Sequence, residues 1–331
     1  MRDYLIAEHL SVGNAQSKNG NIIIFMKIIV TGGGGFIASH IADAYIKLGH
    51  KVVVIDNLVG GFRRNVNRKS RFYKADIRNL EAVRRIFQRE KPEIVSHHAA
   101  FASVPASVAD PTLTYSTNLV GAANILLAAG ESRVKKFIFA TAGGIYAETR
   151  NNKATKEYFE LEPLSPYVLS KILGEQMVRA YAKWYGFSYL IFRYGNIYGP
   201  RQNPHGEAGV VAIFTDLISK KKRPHIFGDG TKLRDYVYVS EIVRANALAL
   251  RRGKNETLNF GFGKGVSDQK VFDTIAKYLR YRTPPVYEPV RSYEVRKLQL
   301  DASRAKKVLG WRPKVSFEEG VRKYLEFKGL L

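Results

Sequence analysis

The chain has 331 residues, of which 45% are hydrophobic and 12% aromatic, enough for an α/β domain with an appended lobe. It contains no cysteine, which excludes disulfides and thiolate metal sites, and its seven histidines lack ligand spacing, so no metal site is expected. The formal charge of +24 attracts anions such as nucleotides, nucleic acid or anionic lipid. Because no RNA-binding signature accompanies this charge, we interpret it as a solvated basic surface and do not expect a nucleic-acid partner.

The amino-terminal segment shows neither a membrane span nor a signal peptide. No stretch of the chain is long and apolar enough to span a bilayer, and residues 1–20 lack the layout of a signal peptide. Met26 directly precedes the first clear strand pattern. We therefore predict that residues 1–25 are a disordered extension, or lie upstream of the true start, and that the protein is cytoplasmic and makes no membrane contact.

Strand and helix patterns alternate through the first two-thirds of the chain, which is typical of an α/β fold with a doubly wound parallel sheet and helices on both faces. The predicted strands are Lys27–Thr31, Lys51–Ile55, Arg71–Ala75, Ile94–His97, Lys136–Ala140 and Ser188–Arg193. The predicted helices are Phe36–Leu48, Leu80–Arg89, Leu113–Ala129 and Ser165–Tyr185.

The pattern changes after Arg193, where a segment rich in Gly, Pro and Asn begins. Further elements are predicted at Val211–Lys220, His225–Phe227, Asp235–Val239, Glu241–Leu250, Asp268–Tyr281 and Ser316–Phe327, with a Pro-rich linker at Thr283–Pro289. We predict that residues 26–196 and about 235–262 form a dinucleotide-binding domain. Residues from about 197 to 234 and from 263 to 331 would form a smaller substrate-binding lobe over the carboxyl ends of the strands.

Four consecutive glycines lie between the first predicted strand and the first predicted helix, which is the context that a dinucleotide-binding Rossmann domain requires. Gly32 permits a tight turn, and Gly35 lets a pyrophosphate approach the helix N-terminus, where free N–H groups favour an anion. Asp56 follows the second strand, where a carboxylate accepts hydrogen bonds from ribose hydroxyls and repels a 2′-phosphate. The sequence therefore predicts NAD as the cofactor, with NADP kept as an alternative by Arg63 and Arg64.

Tyr167 and Lys171 are spaced i, i+4 and share one face of a predicted helix. The lysine charge favours the phenolate form of a neighbouring tyrosine, which can take a proton from a hydroxyl group. Such a pair is usually structural, but a catalytic role is favoured when the pair follows a dinucleotide-binding glycine turn in the sequence. A hydroxyl at the end of the preceding strand would complete the site, and Thr141 occupies that place.

Nine segments, spread from about residue 26 to residue 315, together carry a resemblance to a known family. They are TGGGGFIASH (31–40), VVVIDNLVGG (52–61), ADIRN (75–79), SHHAAFASV (96–104), FATAGGIYAE (139–148), SPYVLSK (165–171), RYGNIYGPRQNPHGEAGVV (193–211), GDGTKLRDYVYV (228–239) and LDASRAKKVLGWRPK (300–314). The chain resembles the extended short-chain dehydrogenase/reductase family, and within it the UDP-glucose (UDP-galactose) 4-epimerases. One departure is Ala38, which stands where the family has its third glycine.

The resemblance implies Tyr167 as the base and acid at the sugar 4-hydroxyl, with Lys171 and Thr141 completing the catalytic group. The cofactor-binding residues that it implies are Gly32, Gly35, Phe36, Ile37, Asp56, Asn57, Asp76, Ile77, Ala99, Ala100 and Asn118, together with Tyr167 and Lys171. The substrate-binding residues that it implies are Asn196, Arg234 and Arg291 for the nucleotide diphosphate, and Leu298 at the position that screens N-acetyl groups.

Several of these assignments have structural alternatives. Asp76 could cap a loop, Asn118 could satisfy backbone groups, and Arg234 could pair with its neighbour Asp235 at the surface. Arg291 lies in an Arg-Ser-Tyr-Glu context that departs from the family. The family alignment allows either Thr141 or the next residue, an alanine, at the hydroxyl position, and we take Thr141 because alanine cannot hydrogen-bond.

The resemblance implies inversion at C4 of a UDP-hexose through a transient 4-keto sugar, and a role in galactose metabolism. The alternatives are epimerisation of UDP-N-acetylglucosamine or UDP-glucuronate, or a nucleotide-sugar dehydratase or decarboxylase of the same fold. Dehydratases of this fold carry acidic residues directly after the active-site Thr, whereas this chain has Ala142-Gly143-Gly144, which favours the epimerase. The helices Leu113–Ala129 and Ser165–Tyr185 resemble those that pair subunits, so a homodimer is expected.

Overall fold

The computed structural model describes residues 15–18, 21–149, 153–205, 209–291 and 295–331. The strands are β1 Ala15–Lys18, β2 Asn21–Ile24, β3 Lys27–Thr31, β4 Lys51–Asp56, β5 Arg71–Lys74, β6 Ile94–His97, β7 Lys136–Ala142, β8 Ser188–Tyr194, β9 Asn196–Tyr198, β10 His225–Phe227, β11 Leu233–Arg234, β12 Tyr236–Tyr238, β13 Glu256–Phe260, β14 Val266–Ser267 and β15 Val286–Glu288. The α-helices are α1 Phe36–Lys47, α2 Leu80–Glu90, α3 Val104–Ala109, α4 Pro111–Tyr115, α5 Gly121–Glu131, α6 Pro166–Tyr185, α7 Val210–Ser219, α8 Val239–Ala249, α9 Asp268–Tyr278, α10 Ser303–Leu309 and α11 Phe317–Phe327. Short 3₁₀ turns lie at Arg63–Asn65 and Gly143–Ile145, and a π-helical segment lies at Ser116–Val120.

A seven-stranded sheet in the order β13-β8-β7-β6-β3-β4-β5 forms the centre of the molecule, and every pairing in it is parallel. The predicted doubly wound parallel sheet is therefore confirmed. The chain moves outward from β3 to β4 and β5, then returns to place β6 on the other side of β3. At such a reversal the loops after the two central strands separate, which opens a crevice for a ligand at their carboxyl ends.

Helices cover both faces of this sheet because its central strands are apolar in consecutive positions and must be buried on both sides. On one face, Ile41 of α1 and Ile242 of α8 join the core. On the other face, Phe87 of α2, Ile125 of α5 and Val178 of α6 do so. These layers fix where α1 and α6 begin relative to the ends of the strands.

The smaller lobe has its own apolar cluster, in which Val211 of α7, Ile275 of α9 and Val321 of α11 are fully buried. One residue group crosses the predicted division: Ala305, Leu309 and Trp311 belong to the core of the central sheet, although the sequence places them in the substrate-binding lobe. The indole N–H of Trp311 donates to the main-chain oxygen of Glu241 at 2.9 Å. The rest of the predicted division stays a prediction.

Some elements differ from the sequence prediction. The strand β13 was not predicted, because its five residues include polar side chains and give no clear apolar run. The predicted linker at Thr283–Pro289 contains β15, which pairs in parallel with β10. The predicted helix Leu113–Ala129 is divided into α4, the π-helical segment and α5, and the side chain of Asn118 in that segment bonds outside its own helix.

The predicted disordered extension lies partly outside the described residues, which exclude 1–14 and 19–20. In the part that is described, β1 and β2 pair antiparallel. The expectation for residues 1–25 stays a prediction. None of the helices in the described ranges combines the length and the apolar character that crossing a membrane requires.

Candidate active site

The glycine turn after β3 depends on the absence of side chains. Gly32 has a φ of +73°, and a Cβ there would lie 2.8 Å from the main-chain nitrogen of Ala99. The N–H of Gly35 donates to the oxygen of Gly32 at 2.9 Å, and no side chain caps the N-terminus of α1. The first N–H groups of the helix, those of Phe36 and Ile37, are therefore available to an anion.

One carboxylate oxygen of Asp56, at the end of β4, bonds this turn, and the other bonds the main chain two residues after Asp56. Asp56 accepts from the N–H of Gly34 at 2.8 Å and from the N–H of Leu58 at 2.7 Å, and only 8% of it is exposed. The guanidinium of Arg63 lies over the ring of Phe72 at 4.8 Å, and that of Arg64 lies over another phenylalanine ring at 4.2 Å. A fixed carboxylate at the turn, with both arginines held on aromatic rings, suits NAD better than NADP.

Asp76 and its neighbours form a rigid loop after β5. Arg78 donates to both oxygens of Asp76, and this pairing lowers the pKa of Asp76 to about 2. The N–H of Arg78 also donates to Asp76, so the predicted alternative of a loop cap is present as well. Asn57 donates to Asp76 at 3.2 Å, and Ile77 packs under Gly121, where a Cβ would lie 2.6 Å from it.

Thr31 joins the glycine turn to the loop after β6. Its hydroxyl oxygen accepts from the N–H groups of His98 and Ala99, both at 3.1 Å, and lies 2.7 Å from Nδ1 of His97. A hydroxyl has one proton and two lone pairs, so Thr31 must donate its proton to His97, which is then neutral and protonated on Nε2. Burial lowers the pKa of His97 to about 3, in agreement with this tautomer.

Asn118 holds the same loop from the other side. Its oxygen accepts from the N–H of Phe101 at 2.7 Å, and its amide donates to the oxygen of Phe101 and to the hydroxyl of Ser170, both at 2.9 Å. The predicted alternative, that Asn118 satisfies backbone groups, thus describes it well, although those groups belong to a loop. It fixes the segment that contains Ala99 and Ala100 against α6.

Tyr167 and Lys171 lie in the first two turns of α6, which Ser165 caps by accepting from the N–H of Val168. The ammonium of Lys171 lies 5.7 Å from the centroid of the Tyr167 ring and donates to the oxygen of Ala140 at 3.3 Å. Lys171 is only 7% exposed. The helix therefore brings the Tyr/Lys pair to the end of β7, one residue before Thr141.

Thr141 itself is 4% exposed, and its buried hydroxyl has no hydrogen-bond partner among the described residues. Buried hydroxyls are rarely left in this condition, and one at an active site is suited to a ligand. The neighbouring Ala142 is partly exposed and offers no polar side-chain atom. The choice of Thr141 for the catalytic hydroxyl stays a prediction.

Asp235 organises the segment that carries the predicted substrate residues, although the sequence suggests it only as a surface partner of Arg234. It is fully buried, and its carboxylate accepts from the N–H groups of Phe262, Gly263 and Leu300 at 2.6, 2.9 and 2.9 Å. A surface ion pair is therefore excluded, since Arg234 is also only 9% exposed. Burial raises the pKa of Asp235 to about 6.

The predicted substrate residues are joined through this segment. The main-chain oxygen of Asp235 accepts from the N–H of Asn196 at 2.6 Å, and the N–H of Leu298 donates to the oxygen of Leu233, next to Arg234. The guanidinium of Arg291 lies over the ring of Phe227 at 3.5 Å. It lines a small recess that Lys232 and Arg296 share, and neither of these basic residues was predicted.

Residues that were not predicted but hold the site together are Thr31, His97 and Asp235. The only sequence signal for them is their adjacency to predicted site residues, because a backbone bond partner cannot be read from residue type. Among the described residues, no group of three or more histidine, aspartate or glutamate side chains could hold a metal ion.

Comparison with known proteins identifies the family. Residues 28–261 match the model of the NAD dependent epimerase/dehydratase family. The chain belongs to this family. It is 40% identical over 300 residues to a putative UDP-glucose 4-epimerase of Methanocaldococcus jannaschii, covering 91% of this chain and 97% of the relative.

Two solved structures have the same fold over nearly the whole chain. The UDP-glucose 4-epimerase of Thermotoga maritima, solved with UDP-glucose, has a TM-score of 0.90 and 45% identity, covering 92% of this chain and 99% of the other. The UDP-glucose 4-epimerase of Thermus thermophilus, solved with NAD, has a TM-score of 0.88 and 40% identity, covering 92% and 100%. The predicted membership of the extended short-chain dehydrogenase/reductase family is confirmed.

Substitution of Gly32 tests the glycine turn. Gly32→Ala forces a left-handed backbone on alanine and places its Cβ against the main chain at Ala99, so we expect NAD affinity to fall at least about ten-fold. NAD bound to the purified protein and its dissociation constant are the measurements. Gly60→Ala is the matched control, because a Cβ there meets nothing within 4 Å. Wild-type NAD affinity in Gly32→Ala would show that the cofactor does not use this turn.

Asp235→Asn tests the buried carboxylate through the pH dependence of stability. Burial raises the pKa of Asp235 from 3.8 to about 6, so the folded chain binds this proton more tightly than the unfolded chain. Its contribution to stability is therefore complete below pH 3.8 and is lost as the pH rises through about 6. The shift corresponds to about 3 kcal/mol.

We expect the free energy of unfolding of wild type minus that of Asp235→Asn to fall by about this amount between pH 4 and pH 7, measured by urea unfolding. The other titrating groups are common to both proteins and cancel in this difference. A difference that stays constant over this range would mean that Asp235 titrates as an ordinary carboxyl.

Proposed function

We propose that this chain is an NAD-dependent epimerase that inverts C4 of a UDP-hexose of the UDP-glucose/UDP-galactose type. The observation that carries the proposal is the position of Lys171, whose ammonium lies beside the Tyr167 ring and bonds the main chain next to Thr141. This group lies on α6 and at the carboxyl end of β7, in the sheet that also carries the glycine turn. Membership of the epimerase/dehydratase family and the high identity to UDP-glucose 4-epimerases support it.

The described residues fit NAD. The turn at Gly32 has no room for a Cβ, the N-terminus of α1 lacks a side-chain cap, and Asp56 is fixed where a ribose is expected. Phe36 and Ile37 would hold the pyrophosphate through their main-chain N–H groups. When bound, NAD supplies the acceptor and then the donor of the hydride at C4 of the sugar.

The side chains of the chain then have separate tasks. Tyr167 takes the proton of the sugar 4-hydroxyl and later returns it, and Lys171 stabilises its phenolate. The free hydroxyl of Thr141 donates a hydrogen bond to the same sugar oxygen. Asn196, Arg234 and Arg291 bind the diphosphate, which leaves the sugar free to turn and present its other face.

The described active-site turn does not support dehydration. A dehydratase must protonate a leaving hydroxyl and remove a second proton, which needs a further acid or base. The turn after Thr141 is formed by Ala142, Gly143 and Gly144, which have no ionisable group. A Cβ at Gly143 would lie 2.7 Å from the end of the Leu300 side chain and 3.1 Å from the main-chain oxygen of Tyr194, so a carboxylate residue there would require Leu300 to move.

The choice among UDP-hexoses rests on Leu298. Its side chain is 5% exposed and packs with Tyr146 and Leu300, which gives the sugar pocket an aliphatic wall. Such a wall neither binds nor repels an N-acetyl group strongly, so UDP-N-acetylglucosamine is the second substrate to test, followed by UDP-glucuronate. The cytoplasmic location and the role in galactose metabolism stay predictions.

Tyr167→Phe tests the reaction. Removal of the phenol hydroxyl should lower kcat for UDP-galactose by about 10²–10⁴-fold, because the proton at the sugar 4-oxygen then has no base. The unfolding midpoint should not change. The control is Tyr185→Phe, near the end of the same helix.

Product analysis completes this test with UDP-galactose, UDP-N-acetylglucosamine and UDP-glucuronate. A 4-keto-6-deoxy product from UDP-glucose would show a dehydratase instead. Retained turnover in Tyr167→Phe would show that Tyr167 is not the base of the reaction.

We also propose that the protein is a homodimer paired through α6 and its neighbours. Leu173 and Trp184 lie on one face of α6 and are 40% and 67% exposed, and Val120 beside α5 is 53% exposed. A row of exposed apolar side chains on long adjacent helices is typical of a subunit interface, and a second copy would cover it by two-fold pairing.

Leu173→Glu should therefore shift the protein from dimer to monomer in light scattering after size exclusion, because it places a charge in the buried pairing face. Leu48→Glu, at the 47% exposed C-terminus of α1, is the matched control. A wild-type monomer, or a dimer that Leu173→Glu leaves intact, would contradict this interface.

A further inference from the structure

A fully buried ion pair lies behind the catalytic helix. Glu175 of α6 is 1% exposed, and it follows Lys171 and Tyr167 at helical spacing, so the three residues share one face. Arg193 of β8 donates to both of its carboxylate oxygens, at 2.8 and 2.7 Å. This two-point contact fixes the direction as well as the distance between α6 and β8.

Arg193 extends this contact to two further elements. Its Nη1 donates to the hydroxyl of Tyr146 at 2.8 Å, and that hydroxyl donates to Oδ1 of Asn259 in β13 at 2.7 Å. Burial raises the pKa of Tyr146 to about 12, so its hydroxyl keeps the proton that it donates. The network therefore joins α6, β8, β13 and the turn that follows β7.

The same network is adjacent to the predicted catalytic hydroxyl. In the pairing of β7 with β8, Thr141 lies opposite Arg193. A rotation or slide of α6 would move Tyr167 and Lys171 relative to Thr141, and the Arg193–Glu175 contact opposes both movements. Apolar packing of α6 on the sheet opposes them less, because it has no fixed direction.

A gain in stability is a poor explanation for this pair. Burying two charges costs desolvation that their attraction only roughly repays, and apolar pairs of similar size often stabilise as well. Fixed geometry is what a buried two-point ion pair adds. Its position between the catalytic helix and the strand beside Thr141 is where geometry matters for the reaction.

We propose that Glu175 and Arg193 are positioning residues: their ion pair sets the rotation of α6 so that Tyr167 and Lys171 stay aligned with Thr141. Neither residue is assigned a contact with substrate. The proposal rests on the proposed epimerase function.

The main test replaces both charges at once. Removal of Glu175 alone would leave Arg193 buried without a carboxylate, and removal of Arg193 alone would leave Glu175 with only the partly exposed Arg179, at 3.2 Å. Glu175→Met with Arg193→Met keeps a similar volume without the charges. It also removes the bonds that Nη1 of Arg193 donates to Tyr146 and to the main-chain oxygen of Glu157, so we expect a folded protein with a lower unfolding midpoint. If alignment depends on the pair, kcat for UDP-galactose should fall at least ten-fold, with KM and NAD affinity unchanged. The pH profile of kcat should also shift, since it reports the Tyr167–Lys171 pair.

A second variant keeps the positive charge at position 193 but removes the two-point contact with the carboxylate. Arg193→Lys leaves an ion pair with Glu175 and cannot bond both carboxylate oxygens in the same plane, so we expect a several-fold lower kcat with unchanged KM. The matched control is Arg84→Met with Glu131→Met, which removes another two-point ion pair, between α2 and α5, away from the catalytic residues. This control should leave kcat unchanged.

The outcomes separate this inference from the proposed function. Wild-type kcat and pH profile in a folded double-Met variant would overturn the positioning role. If kcat in both the double-Met and the Arg193→Lys variants falls only in proportion to the unfolded fraction, the pair has a structural role. This result would also overturn the proposal. Absence of epimerase activity in wild type would instead contradict the proposed function.

Discussion

The site depends on the close approach of the glycine turn to the loop after β6. At Gly32 the main chain comes so near to Ala99 that no side chain fits between them, and the hydroxyl of Thr31 bonds the main chain on the far side of the gap. This contact lies at the point where the strand order reverses. It also fixes the N-terminus of α1 relative to β6, so that one anion-binding helix end faces the crevice.

The two halves of the site are held by different kinds of contact. On the cofactor side, short polar side chains bond the main chain of neighbouring loops, as Asp56 does with the glycine turn and Asn118 with Phe101. On the proposed substrate side, the carboxylate of Asp235 bonds the main chain of two segments that are distant in sequence, and this carboxylate is buried from solvent. Burial raises its pKa to about 6, so its contribution to stability is lost as the pH rises through that value.

Much of the fold could be predicted because its signals are local. The strands β3, β6 and β10 have the predicted bounds, and α6 differs from the prediction by one residue, since apolar runs and a Ser-Pro start mark these elements in the sequence. The strand β13 could not be predicted, because its place at the sheet edge comes from pairing with β8. Trp311 could not be predicted for the same reason, since it packs in the core of a sheet whose strands lie far away in sequence.

In the candidate site as well, some side chains could be predicted from the sequence and others could not. Residues expected to meet a ligand could be proposed from the sequence because phosphate, ribose and proton transfer each require particular residue types at fixed spacing. Residues that hold those groups were missed, because Asp235 and Arg193 act through partners 27 and 18 residues away in sequence or farther. The type of Asp235 alone suggested a surface ion pair with Arg234, and Arg193 only ended a predicted strand; their burial and partners come from the fold.

An epimerase places opposite demands on these two sets of residues. The sugar must turn over between the two hydride transfers, so its ring cannot be held by many contacts, and the diphosphate must carry the binding. The groups that act on C4 must nevertheless meet either face of the ring at the same oxygen, with no substrate contact to adjust them. Their alignment must then come from the protein interior. The buried bonds from Lys171 to Ala140 and from Arg193 to Glu175 lie where such alignment would be set, behind the catalytic residues and away from the sugar.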